Sequence, residues 1–354
     1  MISLSKKSII ILIFLPTLLF ASQKIALFTP RKKTDAFWGM TVKFAQSVAQ
    51  DLGMELKPYY AKGDHYLMLD QIKKTASQGK VDGMIVINLR HLGKKFIEIC
   101  NKNEIPVIVI NTDIKEIGIP GENYEHWIAE VLTDDRGGGK LLAETLIKLS
   151  EAEAPKIAGL GGPNSSMAAQ KRNKGLRDAV SKKTTLYQIV PTDWGRNTAK
   201  RKFKILKGIR YPKINIAWTA ADIISLGVYD GIKEMDQVSH REVITGGIDW
   251  SKNGIQAVRE GKISATVGGH FMGGGWAMIL FYDFFNNTSF EADTATFKSG
   301  MSVITKENIK TYSSLLSQKK WEQINFRALT KTHNKRLENY KFDFSAIKQQ
   351  LIGK

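Results

Sequence analysis

Short apolar runs alternate with amphipathic helical segments along most of the chain, and this alternation limits the fold more than any other feature. In the first third of the sequence the apolar runs are IALFT, MEL, VDGMIVI and PVIVI, which begin at residues 25, 54, 81 and 106. Between them, apolar residues recur at spacings of three and four, the period of a helix with one buried face. Strands that alternate with helices pair in parallel through right-handed crossovers. The sequence therefore predicts an α/β fold built on parallel sheets.

The same alternation starts again near residue 128, after a polar stretch that contains glycine. The predicted strands of this second series span residues 128–132, 156–160, 185–190, 214–219, 243–248 and 263–267, and its helices span residues 136–149, 167–180, 196–209, 222–235 and 252–260. About 330 residues follow the first 22, which is more than one hydrophobic core usually organises. We therefore expect two domains of similar design.

The first 22 residues have the pattern of a secretory signal. Lys6 and Lys7 precede an apolar run over residues 8–20, which Pro16 interrupts, and small residues follow. The run is too short and too lightly flanked for a membrane span, and no other stretch approaches 18 continuous apolar residues. This pattern predicts a cleaved signal peptide at residues 1–22 and a mature protein in the periplasm of a Gram-negative cell.

Charge and cysteine content narrow the classes of function. The net charge of +18 falls to +16 when Lys6 and Lys7 leave with the signal. The remaining basic residues are spread over many helix faces, which favours a solvated surface over nucleic-acid binding. Cys100 is the single cysteine and lies on an apolar helical stripe with Phe96, so a buried structural thiol is expected and neither a lipid anchor nor an internal disulfide is available.

Two aromatic residues stand at the first turn of the helix that follows the IALFT strand. Phe37 and Trp38 are adjacent, and adjacent helical residues point about 100° apart, so both cannot face one core. Open α/β sheets hold their ligands beyond the carboxyl ends of the strands, where this helix begins. The pair therefore marks a candidate binding surface; the alternative is that both rings cover the edge of the sheet.

Two stretches near the end of the chain depart from the alternation. Residues 268–275 (GGHFMGGG) are rich in glycine, which suits either a crossing segment whose backbone bends or approaches a ligand, or a tight turn before a helix. A helix is expected after residue 306, up to residue 318. Residues 319–354 contain nine Lys or Arg against three acidic residues and few apolar ones. We interpret them as a basic surface extension, solvated or, alternatively, a docking patch.

The order of motifs along the chain resembles the type I periplasmic binding proteins. These motifs are IALF, DAFW, VDGMIVI, IPVIVIN, DDRGGGKLLAE, MAAQKRNKGLRDA, PTDWGRNTAK, WTAADIISLGVYDGI, ITGGIDW and AVREGKISATV. The chain is similar in particular to the ribose- and galactose-type sugar receptors and to the quorum-signal receptor LuxP, over about residues 24–301. The resemblance implies two Rossmann-like lobes with parallel sheets, joined by a three-strand hinge, which close on a ligand held between them.

The resemblance also implies how the chain divides. The crossings between lobes are expected near residues 132–134, 268–271 and 297–300. The division that follows is a signal peptide at 1–22, an N-terminal lobe at 23–131 plus 271–298, a C-terminal lobe at 132–270 plus 299–318, and a basic C-terminal extension at 319–354.

The resemblance further implies a set of ligand-binding residues at the facing edges of the lobes. Aromatic rings that lie flat on the C–H face of a sugar are expected from Phe37 and Trp38 in one lobe and Trp194 in the other. Polar groups for the ring hydroxyls are expected from Asp35, Asn111, Asp113, Arg172 and Asp249. Asp249 follows a buried strand, where a bare carboxylate is costly unless it is paired or meets a ligand; a helix cap is the alternative.

Two further positions carry open alternatives, and several depart from the ribose-receptor pattern. Asp222 either caps its helix or contacts the ligand, and His270 either donates to the ligand or packs in the hinge. Asn111-Thr112 replaces Asp-Arg, Ala221-Asp222 replaces Asn-Asp, and Gly-Gly-His at 268–270 replaces a glutamine. Ribose itself is therefore not the expected ligand, and another sugar, a polyol or a furanosyl signal remains open.

The sequence gives no support for an enzyme. The six histidines show neither HExxH nor His-x-His spacing, no cysteine pair exists for zinc, and no G-x-S-x-G elbow occurs. We expect no catalysis, no cofactor, no metal and no nucleic-acid partner. A monomeric solute-binding protein that delivers a sugar to an ABC permease is the first hypothesis. A receptor that signals ligand occupancy to a membrane histidine kinase is the alternative.

Overall fold

Two six-stranded sheets organise the molecule, each flanked by helices. The structure, a computed structural model, describes residues 22–235, 243–289 and 295–352. The strands of the first sheet are β1 (Lys24–Thr29), β2 (Glu55–Tyr60), β3 (Gly83–Ile87), β4 (Val107–Asn111), β5 (Trp127–Thr133) and β11 (Thr296–Ser299). The strands of the second sheet are β6 (Lys156–Gly161), β7 (Thr185–Pro191), β8 (Ile216–Thr219), β9 (Ile244–Ile248), β10 (Ala265–Gly268) and β12 (Ser302–Thr305).

The helices fall mainly between consecutive strands, as the alternation in the sequence predicts. They are α1 (Ala36–Leu52), α2 (His65–Ser77), α3 (Gly93–Lys102), α4 (Asp135–Ser150), α5 (Met167–Asp178), α6 (Arg196–Ile205), α7 (Asp222–Met235), α8 (Lys252–Arg259), α9 (Gly273–Phe285), α10 (Ile309–Leu315), α11 (Gln318–Trp321) and α12 (Ser345–Ile352). Short 3₁₀ or π turns separate some of them.

Both sheets have the same strand order. The first runs β11-β5-β4-β3-β1-β2 and the second β12-β10-β9-β8-β6-β7. All described neighbours pair in parallel except β10 and β12, which pair antiparallel. The predicted fold class, two α/β lobes with mostly parallel sheets, is therefore confirmed.

The chain passes between the lobes at three places close to the sheets. After β5 of the first sheet it continues into α4 and β6, and after β10 of the second sheet it returns to α9, which packs on α1. Between β11 and β12 it crosses once more, at Gly300-Met301. The sheets are thus linked side by side, with the carboxyl ends of their central strands facing a common space.

The first helix shows how local sequence sets these elements. The Asp35 carboxylate caps α1 by accepting hydrogen bonds from the backbone N–H groups of Phe37 and Trp38, and Gly53 ends the helix in the left-handed conformation. Phe44 and Val48 are fully buried, one turn apart, on the face turned to the core.

The glycines at 273–275 lie inside a helix instead of in a bend or at a ligand. A Cβ atom on Gly275 would overlap the ring of Phe44, and one on Gly274 would press on Thr41. Glycine therefore lets α9 approach α1 closely. The bend itself is confined to Gly269, whose φ of 111° is in the range that favours glycine.

The prediction of a solvated extension at 319–354 is wrong. Its aromatic and aliphatic side chains are buried in the same apolar cluster as the core of the first lobe: Trp321, Phe326, Phe342, Phe344, Ile347 and Leu351. Asp283 of α9 anchors the segment, since its carboxylate accepts hydrogen bonds from the backbone of Lys331 and Thr332 and from the Tyr340 hydroxyl. Charged residues such as Glu322, Arg327 and Lys341 are exposed, Lys331 is buried, and the rings of the segment complete the core.

Two remaining predictions concern the signal peptide and the single cysteine. Residues 1–21 of the predicted signal peptide lie outside the described residues. Across the described residues, no helix combines the length and apolar character that crossing a bilayer needs. Cys100 is fully buried, as predicted, and burial raises the pKa of its thiol to about 12.

Candidate functional site

A cleft of about 830 Å³ lies between the two lobes, at the carboxyl ends of their strands. Its walls come mainly from the segments that follow β1, β3 and β4 in one sheet and β6, β7, β8, β9 and β10 in the other. In each sheet the strand order reverses at the first strand of the series, and such reversal points are where open α/β sheets bind ligands. Eight of the ten predicted site residues line this cleft: Asp35, Phe37, Trp38, Asn111, Arg172, Trp194, Asp249 and His270.

The first-lobe wall is aromatic. The rings of Phe37 and Trp38 meet edge to face with centroids 5.1 Å apart, and Phe37 stacks on the imidazole of His270 at 4.5 Å. Both aromatic side chains are partly exposed and line the cleft. Because Asp35 is the cap of α1, its carboxylate lines the same wall while it fixes the start of the helix that carries the rings.

Trp194 is the aromatic residue of the second-lobe wall. It follows β7, half-buried, with a φ of 61° that few large residues adopt. A Cβ atom on Gly162 would overlap the indole, so the glycine after β6 leaves the space in which this ring lies. A flat face from each lobe therefore borders the cleft.

Arg172 is the centre of a buried ionic network at the second-lobe side. From α5, its Nε donates to Asp135 at 2.7 Å, and its Nη1 donates to the Ala220 carbonyl at 2.8 Å and to Asp249 at 3.3 Å. The Arg172 and Asp135 side chains are 6 % and 2 % exposed, whereas Asp249 is 18 % exposed and reaches the cleft. Asp249 is thus the carboxylate in this network that a ligand meets.

The pKa values follow from this burial and pairing. Burial raises the pKa of Asp249 to about 6, although the positive charge of Arg172 works against the rise. Burial alone would lower the pKa of Arg172, but the Asp135 and Asp249 carboxylates outweigh it and raise that pKa. At neutral pH the network therefore holds one cation between two carboxylates, and Asp249 can accept hydrogen bonds from ligand hydroxyls.

His270 is neutral and held in one tautomer. Arg172 Nη2 lies 3.1 Å from its Nε2, and a guanidinium only donates, so Nε2 accepts and Nδ1 carries the proton. Burial and then the charge of Arg172 lower the pKa of His270 to about 3. The sequence left two roles open for His270. Its stack on Phe37 is the packing role. Because His270 also lines the cleft, contact with a ligand stays a prediction.

Asn111 is the last residue of β4 and Asp113 lies two residues beyond it, but the two have different positions. Asn111, with a φ of 74°, lines the cleft and accepts a hydrogen bond from the Thr133 hydroxyl at 2.9 Å. Asp113 does not line the cleft and forms an ion pair with Lys171 of α5 at 2.9 Å. Asp113 therefore links the two lobes instead of lying where a ligand in the cleft would meet it.

Asp222 is also outside the cleft wall. It is fully buried, and its carboxylate accepts hydrogen bonds from the backbone and hydroxyl of Ser251 and from the Thr266 hydroxyl. Burial, and then the charge of Asp249, raise its pKa to about 7. Asp222 thus supports the turn after Asp249 from behind, which is neither of the two roles that the sequence suggested.

Sequence reasoning missed several residues of the cleft wall. Asn88 directly follows the buried strand β3; its side chain accepts from Gly93 and donates to the Asp113 carbonyl. The same signal that drew attention to Asn111 and Asp249, a polar residue after an apolar strand, was present there. Other lining residues had no such signal: Arg31, Arg90, His91, Ser165 and Asn253.

Metal binding finds no support in the described part of the chain. There, no three His, Cys, Asp or Glu side chains come together in a way that could hold a metal ion.

The chain belongs to the periplasmic binding protein family. The family model for the periplasmic binding protein domain matches residues 25–280, which is more than two thirds of the chain. The two α/β lobes and the cleft between them are consistent with this family.

Individual relatives have low sequence identity to this chain, and the solved structures among them have similar folds. The ribose import binding protein RbsB of Haemophilus influenzae is 22% identical over 226 residues, which cover 63% of this chain and 72% of that protein. A periplasmic sugar-binding protein from Pseudomonas fluorescens has a TM-score of 0.81 at 24% identity, covering 93% of this chain and 99% of that one. The binding protein of the arabinose ABC transporter from Shewanella sp. ANA-3, bound to L-arabinofuranose, has a TM-score of 0.73 at 17% identity, covering 84% and 96%.

Proposed function

We propose that this protein captures a monosaccharide or a similar polyhydroxylated molecule in the cleft, in the periplasm, and delivers it to an ABC importer. The observation that carries the proposal is the pairing of flat rings from both lobes with the Arg172–Asp249 pair in one cleft. The rings suit the C–H faces of a sugar, and the ion pair suits its hydroxyls.

The electrostatics favour an uncharged ligand at the buried end of the cleft. Arg172 is already balanced by Asp135 and Asp249, and His270 is neutral. A ligand carboxylate or phosphate beside Asp249 would face that carboxylate, and the neighbouring Arg172 is already paired, whereas a hydroxyl can donate to Asp249 at little cost. Sugars named for the relatives include ribose and arabinofuranose, and both are neutral.

Closure of the lobes is the proposed response to the ligand. A ligand that touches Trp38 on one side and Trp194 on the other binds the closed arrangement better than an open one, so it shifts the population towards closure. The Asp113–Lys171 ion pair and the Phe37–His270 stack join the lobes in this arrangement. A permease that recognises the closed surface would then receive the loaded protein.

The alternative of a sensory receptor stays a prediction. It rests on the resemblance to LuxP. The basic segment at 319–354 adds less support to an extra protein contact than its composition suggests, because its rings are part of the core. Gene neighbours distinguish the two: permease and ATPase genes accompany an importer, and a sensor kinase gene accompanies a receptor.

A thermal-shift screen of the protein without residues 1–22 tests the proposal. The panel contains D-ribose, L-arabinose, D-galactose, D-allose and a set of polyols. A ligand at one hundred times its Kd should stabilise the folded state by about 2.7 kcal/mol. Asp249→Ala should abolish the shift, while Tyr66→Ala, which removes an aromatic ring that is 71% exposed and outside the cleft wall, should keep it. No shift with any panel member, or a shift that survives Asp249→Ala, contradicts the proposal.

A further inference from the structure

The backbone at the cleft carboxylate Asp249 has an unusual conformation. Asp249 has a φ of 137° and the next residue, Trp250, a φ of 55°, and neither is glycine. Residues other than glycine keep such conformations only where the surrounding structure over-determines them, and they concentrate at functional sites. What holds Trp250 therefore also decides where the Asp249 carboxylate points.

Trp250 is held entirely from the side away from the cleft. Its indole is fully buried and its Nε1 donates to the Thr266 carbonyl at 3.2 Å. Gly268 leaves room for the ring, because a Cβ atom there would overlap it. Two aromatic rings also pack on it: Tyr312 meets the indole edge to face with ring centroids 5.1 Å apart, and Phe344 does so at 5.3 Å.

Phe344 belongs to a segment that is fastened to the other lobe. This C-terminal segment, residues 318–352, is tied to α9 through the Asp283 carboxylate, and Phe342 stacks on Trp276 of α9 at 5.4 Å. Earlier in the segment, the backbone N–H of Arg327 donates to the Asp51 carboxylate, and its Nε donates to the Asp51 carbonyl, at the end of α1. The segment therefore reaches from the first lobe, behind the crossings, to the residue next to Asp249.

We infer that Phe344, through Trp250, is a positioning residue that holds the Asp249 carboxylate against Arg172 at the cleft. Phe344 itself is 2 % exposed and is not among the residues that line the cleft. The inference rests on the proposed function only in taking Asp249 as a ligand-contacting group. It assigns the C-terminal segment a part in binding that neither its composition nor its distance along the chain indicates.

The pKa of Asp249 reports where its carboxyl group lies, and it can be measured without a ligand. Arg172 lies 3.3 Å from its carboxylate and the neutral His270 3.6 Å, while Asp35 in the first lobe and Asp222 on α7 are the neighbouring acidic groups. Burial is the largest influence and raises the pKa of Asp249 to about 6. A carboxyl group released towards water returns to the ordinary aspartate value of about 3.9.

The experiment compares two aromatic residues of the same segment. The pKa of Asp249 is measured by ¹³C NMR of labelled aspartate in the protein without residues 1–22, and Asp249→Asn identifies the signal. Phe344→Leu removes the ring against Trp250. Phe326→Leu is the matched control, because Phe326 is equally buried but contacts Phe44 of α1 at 5.6 Å. Both variants should lower the melting temperature, since both lose a buried ring.

We expect the pKa of Asp249 to fall from about 6 towards 3.9 in Phe344→Leu and to stay near 6 in Phe326→Leu. Phe344→Met, which also lacks the ring, replaces the leucine variant if that one does not fold. An unchanged pKa in the Phe344 variant overturns the inference, and so does an equal fall in the control. Because no ligand is added, these outcomes are independent of the thermal-shift screen.

Discussion

The two walls of the cleft use different chemistry. The first-lobe wall presents Phe37 and Trp38 on a helix start, partly exposed and with Asp35 as their cap. The second-lobe wall presents one ring, Trp194, beside the buried network of Arg172. Rings accept a hydroxylated face in many orientations, whereas a buried ion pair fixes where hydrogen bonds form. We infer that the second lobe orients the ligand and the first lobe covers it.

The largest effect is expected from breaking the network that orients the ligand. Asp135→Ala removes the more buried partner of Arg172 and should lower the free energy of unfolding by about 3 kcal/mol, because the buried guanidinium then keeps only the longer pairing with Asp249. Urea unfolding measures the change, and the thermal shift with ligand should be lost.

A matched control exists between the same two helices. Arg136 of α4 pairs with Asp178 of α5 as Arg172 of α5 pairs with Asp135 of α4, but the Arg136–Asp178 pair is largely exposed, at 54% and 28%. Asp178→Ala should cost far less than Asp135→Ala, because solvent screens an exposed ion pair. Equal losses in the two variants would show that burial of the network is not what stabilises it.

The second prediction concerns pH and the buried carboxylate behind the same wall. The pKa of Asp222 is about 7 in the folded protein, above the ordinary value of about 3.9, so the folded state retains this proton more tightly. Its contribution to stability is complete below pH 4 and is lost as the pH rises through 7, a change of about 4 kcal/mol.

Unfolding free energies of the wild type and Asp222→Asn between pH 4 and pH 8 measure this contribution. The amide can still accept from Ser251 and can donate to the Thr266 hydroxyl, so the variant should fold. Its stability should decline less than that of the wild type over this range. Parallel curves for the two proteins would show that a group other than Asp222 causes the pH dependence of stability.

The third prediction separates the rings of the two walls. Trp38→Ala and Trp194→Ala should each weaken ligand binding by about 2 kcal/mol, roughly 30-fold in Kd, because each removes one flat apolar face. Isothermal titration calorimetry with the sugar that gives the largest thermal shift measures the loss. If only one of the two variants binds more weakly, the ligand is held by one lobe and the two-walled description is wrong.

The smallest effect is expected from the ion pair that joins the walls. Lys171 is 32% exposed, so Lys171→Met should weaken ligand binding by no more than about 1 kcal/mol and should reduce its dependence on salt. Lys140→Met is the control, since Lys140 pairs with Glu144 within a single helix. Titrations at two salt concentrations measure both. If Lys140→Met weakens ligand binding more than Lys171→Met does, the Asp113–Lys171 pair does not contribute to closure.

The sequence predicts the fold because strand–helix alternation is a short-range pattern that defines parallel sheets. Most of the candidate site residues were implied by the resemblance to a known family, and the place of Asn111 and Asp249 after apolar strands agrees with it, since such residues come to the same edge. The same rule applied to Asn88 would have added it.

Other features depend on contacts that no short pattern carries. Phe342 and Phe344 alternate with Lys341 and Asp343 in the period of a strand, but the structure forms no strand there, and Phe326 stands in no such pattern. Their burial follows from surfaces made elsewhere in the chain. Asp222 was expected at a helix cap or a ligand, but Ser251 and Thr266 come to it through tertiary packing. Composition alone therefore misjudged residues 319–354.

A crystal structure with the sugar that gives the largest thermal shift tests the central claim most directly. The account predicts one sugar ring between Trp38 and Trp194, with its hydroxyl groups hydrogen-bonded to Asp249 and Arg172. A sugar bound outside this cleft, or one that touches a single lobe, would contradict it.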